Sequence, residues 1–458
     1  MLDLAITVFY FFISLGVLVT IHEFGHFWVA RRCGVRVEQF SIGFGAPLVT
    51  WTDKLGTQFR LAVLPLGGFV KMLDERTDSV SEEDKAFAFT SKTPWQRMAI
   101  ILAGPVANFL LAALIFWFIF LGGERGLAPV VGAVKVDSVA EQAGFESGME
   151  IVEISGVQTN SWGSVSRELF NYIGRSEDIP FVVTYPDSTI RYEIPVRVNA
   201  WLEDEEDPRT LNALGLSPAI ELEFLSIYGV ETKSAAEEAG LRTDDKLITL
   251  NGELINSLES FVDDVSSSAG ESLILGVERS LDGGDAEQLT ISVTPKMGLR
   301  GGDEVGLLGV QLSSNSKYPE ALIREIEYSA LSAIPRAVQE TISTSVFVVK
   351  SIGKLVVGDL SSKNLSGPIT IAKVAGDSAR AGADNFVRFV AILSIMLGVM
   401  NLLPVPVLDG GHILFILIEL AKGSPVSERI QLVGYKAGFA MLIGLMVFAT
   451  FNDLMRSF

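Results

Sequence analysis

The chain has 458 residues, 48% of them hydrophobic, and a positive mean hydropathy, so it is too apolar for an ordinary soluble enzyme and too long for one domain. Its 55 acidic residues outnumber 36 basic ones, giving a net charge of −19 that repels nucleic acid. A single cysteine, Cys33, excludes any disulfide within the chain and leaves polar domains to fold on apolar cores alone.

The first apolar run, residues 4–30, is long enough to cross a bilayer core roughly 30 Å thick. Its basic residues Arg31, Arg32 and Arg36 follow the run rather than precede it. It therefore reads as a retained span and not as a cleaved signal peptide, with its N-terminus outside and these arginines in the cytoplasm. Within it, His22-Glu23-Phe24-Gly25-His26 forms an H-E-x-x-H pattern. Helical spacing puts both imidazoles on one face, where they can hold one metal. Ionisable groups near the centre of a spanning helix cost about 2.5–3.5 kcal/mol each. Two of the chain's three histidines lie here, which favours a metal over a pair of histidines that merely bridge helices.

Residues 57–72 alternate apolar and polar before Pro65 and Gly67-Gly68, which predicts a β-hairpin turning at those residues. A second span is expected at 98–121. A long, largely polar region follows and carries most of the acidic excess. Inside it, residues 138–156 (SVAEQAGFESGMEIVEISG) and 234–252 (SAAEEAGLRTDDKLITLNG) repeat one another. Each predicts a short helix ended by a left-handed glycine (Gly144, Gly240), a polar turn, a strand, and a turn at Gly156 or Asn251-Gly252. A repeat of this kind marks two copies of one small domain. From about 321 to 357 the pattern is that of an amphipathic helix lying at the outer membrane surface.

A third span, 386–403, runs into N-L-L-P-V-P-V-L-D-G-G-H, from Asn401 to His412. Pro404 and Pro406 break the helix, and broken backbone at membrane depth is tolerated where it lines a wet cavity. Catalytic zinc takes three protein ligands and a water, so the third ligand is to be sought here, in Asp409 or His412. Asn401 either hydrogen-bonds a substrate backbone or caps the broken helix. Lys422 and Arg429 precede a fourth span, 432–451, and mark the cytoplasmic side again, which leaves the polar region outside.

The two signatures, H-E-F-G-H and N-x-x-P-x-P-x-L-D-G, resemble those of the site-2 protease family. The likeness extends through Gly43-Phe44-Gly45, P-L-G-G at 65–68, A-G-P-V-A-N at 103–108 and N-L-S-G-P at 364–368, nearly the whole chain. The repeats resemble PDZ domains of the permuted bacterial kind, the second copy better than the first, where Phe145 and Ser155 vary. The resemblance implies an α-helical polytopic membrane protein with about four transmembrane helices, two periplasmic PDZ-like α+β domains and a membrane-associated β-hairpin beside the active site. It divides the chain into 1–126 with the first two spans, PDZ-like domains at 127–220 and 221–310, an amphipathic linker at 311–385, and 386–458 with the last two spans. It implies a zinc metalloendopeptidase of the bacterial inner membrane with Zn2+ on His22, His26 and Asp409, favouring Asp409 over His412. Glu23 takes the proton of the attacking water and passes it to the leaving amine. The candidate substrate contacts are Asn401, Gly43, Gly45, Gly67 and Gly68. Partners implied are the lipid bilayer and single-span membrane substrates, an anti-sigma factor and remnant signal peptides among them, and no nucleic acid. The rival reading is a non-enzymatic membrane protein with PDZ modules that binds metal. A serine protease is excluded, because no G-x-S-x-G occurs.

Overall fold

The computed structural model describes residues 2–75, 80–186, 188–206, 208–255, 257–280, 286–300 and 303–457. Among them four helices are long and apolar enough to cross a membrane. They are Leu2–Arg32, Pro94–Leu121, Ala383–Leu402 and Glu428–Ser457. The second begins sharply, because Thr93 and Gln96 form a reciprocal capping box and Pro94 occupies the first turn. It packs between the first and the third. The first two approach closely through small residues: a Cβ on Gly25 would lie 2.2 Å from the Ala103 carbonyl oxygen.

Between the first two spans lie two long strands, Val37–Thr52 and Gln58–Met72. The hairpin expected to turn at Pro65 and Gly67-Gly68 is not what forms. Residues 39–42 are inserted between 58–61, which run parallel to them, and 68–71, which run antiparallel to them, so the two arms of the expected hairpin are antiparallel but not paired with each other. The true hairpin joins 47–52 to 58–62 through the turn at 53–57, where Asp53 Oδ1 accepts the Leu55 and Thr57 amides, each at 3.0 Å. Alternation in the sequence marks strands but not their partners, and Gly67-Gly68 serve close packing instead: a Cβ on Gly67 would strike the Phe44 ring at 2.3 Å. The sheet is seated on the first span through Phe27, Phe40 and Phe59, and Arg31 pairs with Asp53 and Thr57. Its far end is apolar and exposed, with Phe44, Leu48 and Leu64.

The repeats fold alike. Ser138 and Ser234 cap the helices Val139–Ala143 and Ala235–Glu238, and Gly144 and Gly240 follow with φ of 94° and 83°. The strands Glu150–Ile154 and Lys246–Leu250 come next, each ending in a turn whose two residues have positive φ, Ser155-Gly156 and Asn251-Gly252. Asn adopts that backbone readily; Ser155 does not, and its hydroxyl is held by the Tyr172 Oη at 2.5 Å. The copies differ in their sheets. The first has four strands and a separate two-stranded ribbon, whereas the second joins six strands in one sheet beside a ribbon of its own, Lys296–Arg300 with Asp303–Leu307. Each encloses its own core, around Ile151, Val165 and Phe181 in one and Leu225, Leu247 and Leu275 in the other.

The amphipathic helix is shorter than expected. It spans Ala333–Val357, while Ile323–Ile326 forms a strand paired with Glu124–Leu127. Four alternating residues fit either period, and the strand wins because a partner emerges directly from the second span. The helix is bolted to the first repeat by ions. Glu340 receives Arg167 at 2.9 Å and Arg336 at 3.0 Å, Arg336 also pairs with Glu124 at 2.9 Å, and Lys354 Nζ donates to the Ile173 carbonyl at 2.6 Å. Burial alone would raise the Glu340 pKa, but the two guanidiniums outweigh it and hold the carboxyl below its usual range. A further helix, Pro368–Arg380, packs on the first span, and its N-terminus is capped from the fourth: the Asp453 carboxylate accepts the amides of Gly367, Ile369 and Thr370 at 2.9–3.0 Å.

Candidate metal centre

His22 and His26 stand one turn apart on the first span, and their rings face the second span and Asp409. The third span stops at Leu402; residues 403–408 are not helical, and a new helix, Asp409–Lys422, starts at the aspartate. Gly410 and Gly411 allow this fold-back, since Cβ atoms there would lie 2.3 Å from the Leu402 and Val405 carbonyl oxygens. The chain thus carries Asp409 back to the histidines.

His22 Nε2 and His26 Nε2 are 3.2 Å apart, and Asp409 Oδ2 is 3.2 Å from the first and 3.5 Å from the second. Ligands at about 2.0–2.1 Å from a tetrahedral zinc stand about 3.3–3.4 Å from one another, so the three atoms have the spacing of one tetrahedral face. Asp409 Oδ2 is buried and has no hydrogen-bond donor among the described residues. Three lone-pair atoms turned toward one point repel each other unless a cation sits there, and the donor set of two imidazoles and a carboxylate suits zinc. The opposite wall is kept open by Gly104 of the second span. A Cβ there would be 2.2 Å from His26 Nε2 and 2.9 Å from His22 Cε1. His26 Nδ1 donates to the Ile100 carbonyl at 2.8 Å, and the Asn108 side-chain nitrogen Nδ2 lies 3.2 Å from His22 Nδ1.

The model for peptidase family M50 matches residues 10–445. The chain belongs to that family. Among similar M50 relatives, the regulator of sigma-E protease RseP of Escherichia coli (strain K12) is 41% identical over 448 residues, covering 97% of this chain and 98% of the relative. Protease RseP of Yersinia pestis is 40% identical with the same coverage. A protein of Vibrio cholerae provisionally named a zinc metalloprotease is 39% identical over 447 residues, 97% of this chain and 98% of its own.

In this M50 chain Glu23 stays outside the group of three and points to the sheet: the Val70 amide faces its carboxylate, and a Cβ on Gly68 would be 3.0 Å from its Cγ. Gly68 is thus the one of the four candidate glycines beside the centre. Gly43 has φ of 88° with the Leu64 carbonyl against it, Gly45 follows in the same bend, and Gly67 lies under Phe44. Asn401 sits in the last turn of the third span, half-buried. Non-helical backbone separates it from Asp409, so the two are not related by helical turns as the sequence spacing implies. His412 stands one turn past Asp409 and faces Tyr435, at 3.4 Å from its hydroxyl, not the other histidines. Sequence reasoning missed Ile100, Gly104 and Asn108. Gly104 and Asn108 left a trace there only as members of A-G-P-V-A-N at 103–108, the second also as an uncharged polar residue deep in a spanning segment.

Proposed function

We propose that the chain is an intramembrane zinc metalloprotease in which His22, His26 and Asp409 hold the metal and Glu23 is the general base. The observation that carries this reading is the tetrahedral spacing of the three ligand atoms, one of them an orphaned carboxylate oxygen. Zinc, when bound, acidifies a water and polarises the scissile carbonyl. Glu23 is adjacent in sequence to His22 and outside the ligand group, so it is free to take that water's proton and return it to the leaving amine. A metal carrier has no use for such an unligated carboxylate, which favours hydrolysis over the non-enzymatic reading. Gly68 and the sheet edge beside Glu23 offer backbone groups to a substrate drawn out of its helix, as strand addition requires. The exposed apolar end of the sheet suits insertion into the bilayer.

The protein resides in the inner membrane with residues 127–220 and 221–310 as PDZ-like domains in the periplasm. The capped helix, strand and turn repeated in both copies support that reading. Its substrates are single-span membrane proteins, and the names of its relatives point to sigma-E regulation through an anti-sigma factor. The acidic PDZ-like pair acts as a filter that admits substrates whose outer domain has already been trimmed. Two measurements test these statements. Purified protein in detergent should cut a single-span substrate and stop on addition of a zinc chelator; cutting that continues in chelator overturns the metalloprotease. Leu241→Asp, in the second core, should let untrimmed substrate be cut, and a variant that cuts only the trimmed form leaves the domains a scaffold role.

A further inference from the structure

The second span contributes no metal ligand, yet Ile100, Gly104 and Asn108 lie on one stripe of it, one turn apart, against both histidines. A neutral imidazole carries one proton, and coordination through Nε2 requires that proton on Nδ1. For His26 the requirement is met by the Ile100 carbonyl, which can only accept. For His22 the neighbour is the Asn108 amide, and an amide can present either end. In this structure its Nδ2 faces Nδ1, an orientation that puts the His22 proton on Nε2, pointing at His26 Nε2 and Asp409 Oδ2. The amide's oxygen and nitrogen exchange places by a half-turn of the side chain. Asn108 is fully buried, and its oxygen has no donor among the described residues. Turned toward His22, that oxygen accepts Nδ1–H and gains the partner it lacks. The Asn108 main chain is itself fixed, because its carbonyl accepts the hydroxyl of the buried Ser394 on the third span at 2.8 Å.

We propose that Asn108 is a positioning residue whose side-chain oxygen fixes the Nδ1–H tautomer of His22, so that the second span orients both imidazoles with an acceptor on either side of a glycine gap. The inference rests on the metal-centre reading above. It is tested on the full-length protein in detergent by zinc affinity, measured by competition with a chromogenic chelator, beside the melting temperature of the metal-free form. Asn108→Leu, close in size but without an acceptor, should bind zinc about 10–100-fold more weakly, the usual cost of losing such a partner. Asn108→Asp, which keeps an oxygen in place, should recover wild-type affinity or exceed it. With only three histidines in the chain, imidazole nitrogen-15 spectra should show the His22 tautomer disturbed in the leucine variant and restored in the aspartate variant. Wild-type affinity in Asn108→Leu overturns the proposal. So does equal weakening in both variants, which would make Asn108 a packing residue only. Asp409→Ala run in parallel separates the two readings: zinc retained there overturns the ligand set, while the leucine–aspartate comparison still decides the role of Asn108 at His22.

Discussion

The membrane core and the outer repeats handle polar groups in opposite ways. In the core, polar side chains are few, and those at the centre meet named neighbours on other spans: His26 with Ile100, His22 with Asn108, Asn108 with Ser394. Outside, charge is plentiful and much of it sits at the surface, as in the Arg197–Asp178 and Lys296–Glu238 pairs, while apolar clusters hold each unit together. The difference teaches where a single substitution matters. A polar change in the core should abolish function without unfolding the outer units, and an apolar change outside should cost stability without touching zinc.

The largest effect is expected at the ligands. Asp409→Ala should lose both zinc and proteolysis, whereas His412→Ala, directed at Tyr435, should keep most of each; metal content of the two purified variants checks this, and the reverse pattern would exchange their roles. Glu23→Gln should keep zinc and lose turnover by about 10²–10⁴-fold, the range for removing a general base. If the glutamine variant turns over at a wild-type rate, another group is the base. Leu247→Ala, fully buried in the second repeat, should cost about 2–5 kcal/mol. Urea unfolding followed by protease sensitivity of the outer region measures it, with zinc content unchanged. The smallest effect concerns the bolt between the first repeat and the amphipathic helix. Glu340→Gln should loosen it by about 1–3 kcal/mol at neutral pH. Because the folded-state pKa of Glu340 is depressed, its contribution is complete above the ordinary carboxylate range of about 4.3 and fades as pH falls through the lower folded value. Wild type and variant should therefore converge in stability only once the pH falls below that depressed folded value, and a difference that persists there would place the effect in packing.

Much of this architecture is legible in the sequence because it depends on local period. The four spans, the glycines Gly144 and Gly240 that end the short helices, and the histidine pair all follow from spacing along one element. What escapes is pairing between distant segments. Alternation in 57–72 announces strands, but nothing local says that residues 39–42 lie between 58–61 and 68–71. The short run at 323–326 has too few residues to separate a helical from an extended period. Asn108 and Gly104 make sense only when the second span is laid against the first, 86 residues separating Asn108 from His22. Asp409 is a candidate from chemistry rather than from period, since a carboxylate in broken membrane backbone needs a cation, and the family resemblance is what favours it over His412.

The cap supplied by Asp453 has a consequence for biosynthesis. The amides of Gly367, Ile369 and Thr370 open a helix that packs on the first span, yet their acceptor is translated 86 residues after Gly367. At roughly 5–20 residues per second that interval lasts on the order of 4–17 s. During it the third span has been made, but the helix before it still has an open end. The ribosome thus finishes the fourth span before the helix resting on the first can close, and a nascent chain halted short of Asp453 holds its zinc ligands in sequence but not yet a completed frame around them.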